Sequence, residues 1–136
     1  MTKKYLTELT YEIIGAAIEV HKIVGPGLLE TVYQKSLAHE ISLRGLYSLS
    51  ELYIPVIYKG LEMDTLFRCD LLVEDTIVVE LKAIDATLPI HAAILLNHMN
   101  LLEKPKGIML NFKCANLFKD GQKTYVNKYY TNLPEE

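Results

Sequence analysis

Asp70, Glu80 and Lys82 are the residues whose types and spacing best suit chemistry. They sit in the segment Phe67-Arg68-Cys69-Asp70-Leu71-Leu72-Val73-Glu74-Asp75-Thr76-Ile77-Val78-Val79-Glu80-Leu81-Lys82-Ala83. Two leucine- and valine-rich runs flank a polar Glu74-Asp75-Thr76 break, the pattern of two antiparallel strands joined by a tight turn. A turn centred on Asp75 puts Asp70 opposite Glu80. Side chains alternate between faces, so Lys82 shares the face of Glu80, while Cys69, Leu71, Val79 and Leu81 point the other way. Two carboxylates and an ammonium then meet on one patch of sheet. Adjacent carboxylates repel unless something positive lies between them. Lys82 answers that in part, and Mg²⁺ or Mn²⁺ answers it better, because hard divalent ions take oxygen ligands and are often held by one or two carboxylates. The backbone carbonyl of Leu81 would be a further oxygen ligand. Such an ion could activate water and polarise a phosphate, with Lys82 holding the water or neutralising charge. The bland use of the same three residues is a solvated ion-pair surface on the wet face of a sheet.

The elements that must position these residues read as follows. Leu9, Ile13, Ala16, Ala17, Val20 and Val24 recur at helical spacing and predict a helix over about Thr7 to Val24. Gly25-Pro26-Gly27 ends it. A second helix is expected from about Leu28 to Leu43, stopped by Gly45. A strand over about Leu52 to Tyr58 is expected to pair with the start of the Phe67 strand. Tyr58-Lys59-Gly60 reads as a turn, and Leu61–Thr65 as an ill-defined connection. Pro89 suits the first turn of a helix covering about Ile90 to Leu102, and Lys104-Pro105-Lys106 breaks it. Gly107 to Phe112 reads as a short buried strand, parallel to the Glu80 strand because a helix lies between them. Asp120-Gly121 is a turn, and Thr124 to Thr131 is β-prone. The economical packing is one α/β domain over residues 1–136, a mixed sheet of four to five strands flanked by helices.

Composition narrows the classes. The chain has 136 residues, half of them hydrophobic and 23% charged, ordinary for a globular protein with one real core. A net charge of -3 and a pI near 5.8 give no global electrostatic case for nucleic acid, so such a partner would need a local basic patch or a metal bridge. Cys69 and Cys114 are too few and too far apart for a disulfide framework or zinc cluster, and Cys69 reads as a buried thiol. The longest apolar stretch, Leu88 to Leu102, carries His91, Asn97, His98 and Asn100 and falls short of the ~20 residues of a membrane span. No apolar signal region follows Met1-Thr2-Lys3-Lys4-Tyr5. A cytoplasmic protein without membrane association is the expectation.

Gly27-Leu28-Leu29-Glu30-Thr31-Val32-Tyr33-Gln34 matches the GxxExxY signature of the small bacterial and archaeal family named after it. Pro55-Val56, Tyr58-Lys59-Gly60, Asp70 to Val73, Val79 to Ala83, His91 to Asn97 and Asn111-Phe112 follow in that family's order. The chain thus resembles this family, from about Thr7 to Val126. The family looks like a branch of the PD-(D/E)XK nucleases, which implies a restriction-endonuclease-like core and Mg²⁺- or Mn²⁺-dependent hydrolysis of nucleic acid, DNA first. By the resemblance Asp70 is the metal-binding aspartate, Glu80 the second acidic ligand, Lys82 the catalytic lysine and Glu30 an acidic residue added from the second helix. Tyr33 and Gln34 would orient Glu30 or touch substrate, although a tyrosine at that spacing is as well explained as core. His91 would support the site or sit at the surface. His91 and His98 share a face, a weak zinc pattern without a third ligand. Where relatives read H-x-A-Q-L-L-N-Y, this chain has Ile94 and His98 in place of the glutamine and tyrosine, which favours a second expectation, a catalytically inactive module that binds nucleic acid or protein. A homodimer would place two sites together, and Tyr125, Tyr129 and Tyr130 could cover its interface or pack in the core.

Overall fold

The computed structural model describes residues 1–63 and 67–136. The order is α1 (Lys3–Val24), α2 (Glu30–Leu43), β1 (Ser48–Tyr53), β2 (Val56–Tyr58), β3 (Leu61–Met63), β4 (Arg68–Val73), β5 (Ile77–Lys82), α3 (Pro89–Leu101), β6 (Lys106–Asn111), α4 (Leu117–Asp120), β7 (Gln122–Val126) and α5 (Lys128–Thr131). Five strands form one mixed sheet in the order β1-β4-β5-β6-β7, and β2 and β3 form a separate two-stranded sheet. Among the described residues only the β5–β6 pair is parallel, with α3 as the crossover. This is the α/β restriction-endonuclease-like arrangement that the sequence implies.

Two apolar layers hold the sheet. Leu6, Ile13, Ala17 and Val20 of α1 and Tyr33, Leu37 and Ile41 of α2 pack on Leu71, Val79, Leu81, Ile108 and Leu110. Leu95 and Met99 of α3 pack on Leu72, Val78 and Met109 on the other face. Covered on both sides, β5 and β6 are buried almost throughout, as a parallel pair requires. Gly107 lets α3 come close, since a Cβ there would lie 2.6 Å from Met99 Sδ and 2.9 Å from Leu95 Cδ1.

The structure departs from expectation at five places. The first helix begins at Lys3 rather than Thr7, because the Thr2 hydroxyl caps it by accepting from the Tyr5 N–H at 3.0 Å. The strand expected over Leu52 to Tyr58 is two strands. β1 pairs with β4, and beyond Pro55, which has no N–H to offer a ladder, β2 pairs with β3 through Lys59-Gly60. Both of those residues have positive φ (48° and 86°), the primed-turn geometry of tight hairpins. The expected Leu61–Thr65 connection is β3 as far as Met63, and the rest lies outside the described residues. The tail is strand only to Val126, and Asn127 then caps the short helix α5 through the Tyr129 N–H.

Cys69 is the fifth departure. It is a buried free thiol, but it joins Leu72 and Val78 on the α3 layer rather than Leu71 on the other. The β1–β4 ladder skips the Glu51–Asp70 position, and Glu51 has φ 51°. Alternation therefore breaks at Asp70, the residue that chemistry singles out. No described helix is long and apolar enough to cross a membrane.

Candidate functional site

The β4–β5 register pairs Leu71 with Val79, Leu72 with Val78 and Val73 with Ile77, as a turn centred on Asp75 demands. Glu74 and Asp75 hold φ of 50° and 55°, so the turn is again of the primed kind. The ladder ends at Leu71–Val79. One step further the Asp70 side chain replaces the backbone partner, and its Oδ2 accepts from the Leu81 N–H at 2.7 Å. The strands open at that point, and Asp70 and Glu80 face each other in the opening.

This geometry sets the electrostatics. Burial and then the neighbouring Glu80 carboxylate push the Asp70 carboxyl up from 3.8 to about 7, against the pull of the Leu81 N–H and the Lys82 ammonium. Burial, with Glu80 and Asp70 adding to it, pushes the Cys69 thiol up to about 12. Glu80 is 7% exposed, and an ionised carboxylate so placed is costly without hydrogen bonds or a cation. Lys82, at the half-buried end of β5, forms no ion pair among the described residues. The donor set is hard oxygen, negatively charged and short of positive charge, which is what Mg²⁺ or Mn²⁺ fits. Asp70 Oδ2 is already engaged, leaving Oδ1 for an ion. Among the described residues no three His, Cys, Asp or Glu side chains form a cage, so the ion would draw on two carboxylates, backbone and water.

His98, noted in the sequence only as a weak zinc candidate and a replaced tyrosine, has a partner there that the sequence reading did not assign. His98 Nδ1 lies 2.6 Å from Glu80 Oε1. His98 is 5% exposed, and the ring of Phe67 meets it edge-on with centroids 6.1 Å apart. A carboxylate only accepts, so Nδ1 carries the proton. The signal was present in the sequence. Leu95, His98 and Met99 form the buried stripe of α3, an imidazole in such a stripe needs a polar partner, and Glu80 is the one carboxylate on β5.

The remaining candidates lie around this centre. Tyr33 is core: it is fully buried and stacks on Phe112 with centroids 4.4 Å apart. Its hydroxyl donates to the Gly25 carbonyl at 2.6 Å and accepts from the Leu28 N–H at 3.1 Å. The Phe112 N–H in turn bonds the Lys82 carbonyl at 2.9 Å, so the N-terminal turn of α2 stands at the Lys82 end of β5. Glu30 begins that turn and is exposed. Gln34 is half-buried. His91 closes its own helix, Nδ1 accepting from the Leu88 N–H at 2.9 Å. Ile94, in the place of the relatives' glutamine, is 40% exposed and offers no hydrogen bond. Asn111, the register partner of Lys82, clamps the chain after β5 by accepting from the Ile84 N–H and donating to its carbonyl. Beside it lies a cleft of about 300 Å³, with Met109 and Asn111 among its lining and Asp85, Asp120, Lys113 and Lys123 contributing charge. Met109 is the register partner of Glu80, but none of Asp70, Glu80 and Lys82 lines the cleft. Tyr125 and Tyr130 pack against the two cores.

A family model described as the PD-(D/E)XK nuclease superfamily matches residues 7–124. Comparison with curated proteins and with solved structures found no significant match.

Proposed function

The chain belongs to the PD-(D/E)XK nuclease superfamily, and on that premise we propose that residues 1–136 act as one domain of GxxExxY type that hydrolyses phosphodiester bonds. The superfamily acts on nucleic acid and generally uses divalent metal ions; for this chain the proposal is DNA in the cytoplasm, with Mg²⁺ or Mn²⁺. The observation that carries the reading is the opening of the β4–β5 ladder at Asp70, which sets its carboxyl beside Glu80. Asp70 Oδ1 and the free oxygen of Glu80 would hold the ion. Leu81 would join them, because an extended residue turns its N–H and C=O to the same edge and its N–H already faces Asp70. When bound, the ion neutralises a phosphodiester oxygen and makes water more acidic.

The side chains do the rest. Lys82, next on the same face, holds the attacking water or neutralises charge on the phosphorane-like transition state. Glu30, exposed at the start of α2, would approach bound substrate or its ion. Gln34 and His91 would support the site, and Tyr33 holds the Gly25–Leu28 loop that precedes Glu30. Purified protein with Mg²⁺ or Mn²⁺ is expected to nick or cleave plasmid DNA, and Lys82→Ala to keep its melting temperature and lose cleavage. Equal activity in that variant refutes the role of Lys82.

One observation favours a second reading. Ile94 presents hydrocarbon where relatives carry a glutamine, so the chain could keep the fold as a non-catalytic binding module, alone or as a homodimer. On that reading calorimetry detects no heat from Mn²⁺, whereas micromolar binding that depends on Asp70 excludes it.

A further inference from the structure

We infer that His98 is a positioning residue for Glu80, fixing which of its carboxylate oxygens faces the divalent ion. The inference rests on the reading of Asp70 and Glu80 as ligands. The two ligands are held alike: each has one oxygen tied by a donor outside the ligand pair. For Asp70 the donor is the Leu81 N–H on Oδ2, and for Glu80 it is His98 Nδ1 on Oε1 at 2.6 Å. With Oε1 engaged at α3, Oε2 is the oxygen left for the ion. A glutamate has three side-chain torsions and its terminal one is broad, so Glu80 free of His98 would sample orientations that do not converge with Asp70.

The imidazole is itself fixed. It stands between Leu95 and Met99 on the buried stripe of α3, and Phe67 meets its edge. Gly107 admits α3 to close packing on β6, which keeps the helix within reach of β5. His98 does not join the ligands, since no three such side chains among the described residues form a cage. It acts through Glu80. Partners of this kind typically change metal affinity by about 10–100-fold when removed.

The test is Mn²⁺ binding to chelator-stripped protein, read from the electron paramagnetic resonance signal of free Mn²⁺, with a thermal melt of each variant. His98→Leu fills the apolar stripe without a donor and is expected to melt cooperatively and bind about 10–100-fold more weakly than wild type. His98→Asn keeps an N–H near the Nδ1 position and is expected to bind within about threefold of wild type, an order-of-magnitude allowance for its shorter reach. His98→Gln stays polar but moves its donor to the Nε2 position, and is expected to resemble His98→Leu even should that variant fold poorly. Wild-type affinity in His98→Leu overturns the inference and leaves the metal reading standing, as does an Asn variant no better than the Gln variant. Absence of Mn²⁺ binding in wild type overturns both.

Discussion

Replacing Asp70 by asparagine is expected to stabilise the metal-free protein at neutral and alkaline pH while abolishing metal binding. Burial and Glu80 raise the Asp70 carboxyl from 3.8 to about 7, so between those values the folded state keeps a proton that the unfolded chain has released. Stability contributed by that proton is complete below about pH 3.8, is lost as pH rises, and is gone above about pH 7. One pKa unit corresponds to about 1.4 kcal/mol, so the ionised pair withdraws at most about 4 kcal/mol. Asparagine escapes this loss without disturbing the site, because its carbonyl can accept the Leu81 N–H and its amide can donate to Glu80. Even a quarter of the ceiling, about 1 kcal/mol, moves the melting temperature of a domain this size by about 4 °C. The assay is thermal unfolding in chelator from pH 4.5 to 9, followed by circular dichroism. Asp70→Asn is expected to melt close to wild type at pH 4.5 and at least about 4 °C higher at pH 8.5. Millimolar Mn²⁺ at pH 8.5 should raise the wild-type midpoint and leave the variant unchanged. A variant that melts at or below wild type at pH 8.5, or by a margin that does not change with pH, refutes the reasoning.

Three other outcomes test the frame around the site. Tyr33→Phe removes two hydrogen bonds to the Gly25–Leu28 loop and is expected to cost about 1–2 kcal/mol, read by urea unfolding, with Mn²⁺ affinity unchanged; a large loss of affinity would make Tyr33 a site residue. Gly107→Ala drives a methyl group into Met99 and Leu95 and should cost about 1–3 kcal/mol, lowering the melting temperature and, through displaced α3, Mn²⁺ affinity. A chromogenic disulfide reagent at pH 8 should leave Cys69 unmodified in the folded protein, since the thiol is fully buried and titrates near 12, while half-buried Cys114 reacts slowly. Rapid modification of both thiols would show that the α3 layer opens readily.

Much of the site was legible because it is local. A hairpin's register follows from its turn and its apolar alternation, so Asp70, Glu80 and Lys82 could be brought to one place from seventeen residues. Pro89 and the strand expected over Gly107 to Phe112, which runs from Lys106 to Asn111, were equally readable, since proline at a helix start and a short apolar run after a helix are chain-local signals. Errors fell where neighbours decide. The Leu52–Tyr58 run carries one continuous β signal, yet Ile54 gives its N–H to the Phe67 carbonyl and Pro55 ends the pairing, so the chain turns into a second hairpin. Cys69 has the apolar parity of Leu71, but the skipped Glu51–Asp70 position turns it to the other layer.

By itself the sequence determined the order of the elements that carry the site, the β4–β5 register and the acid pair with its lysine, because strand alternation and turn chemistry act over a few residues. Only the tertiary structure decided how that pair is electrostatically set and held. The opening of the ladder lies at Asp70, the raised Asp70 carboxyl comes from burial beside Glu80, and the His98–Glu80 bond joins residues eighteen positions apart across the packed sheet and α3. Burial and the approach of two charges are properties of packed neighbours, and no spacing along the chain encodes them.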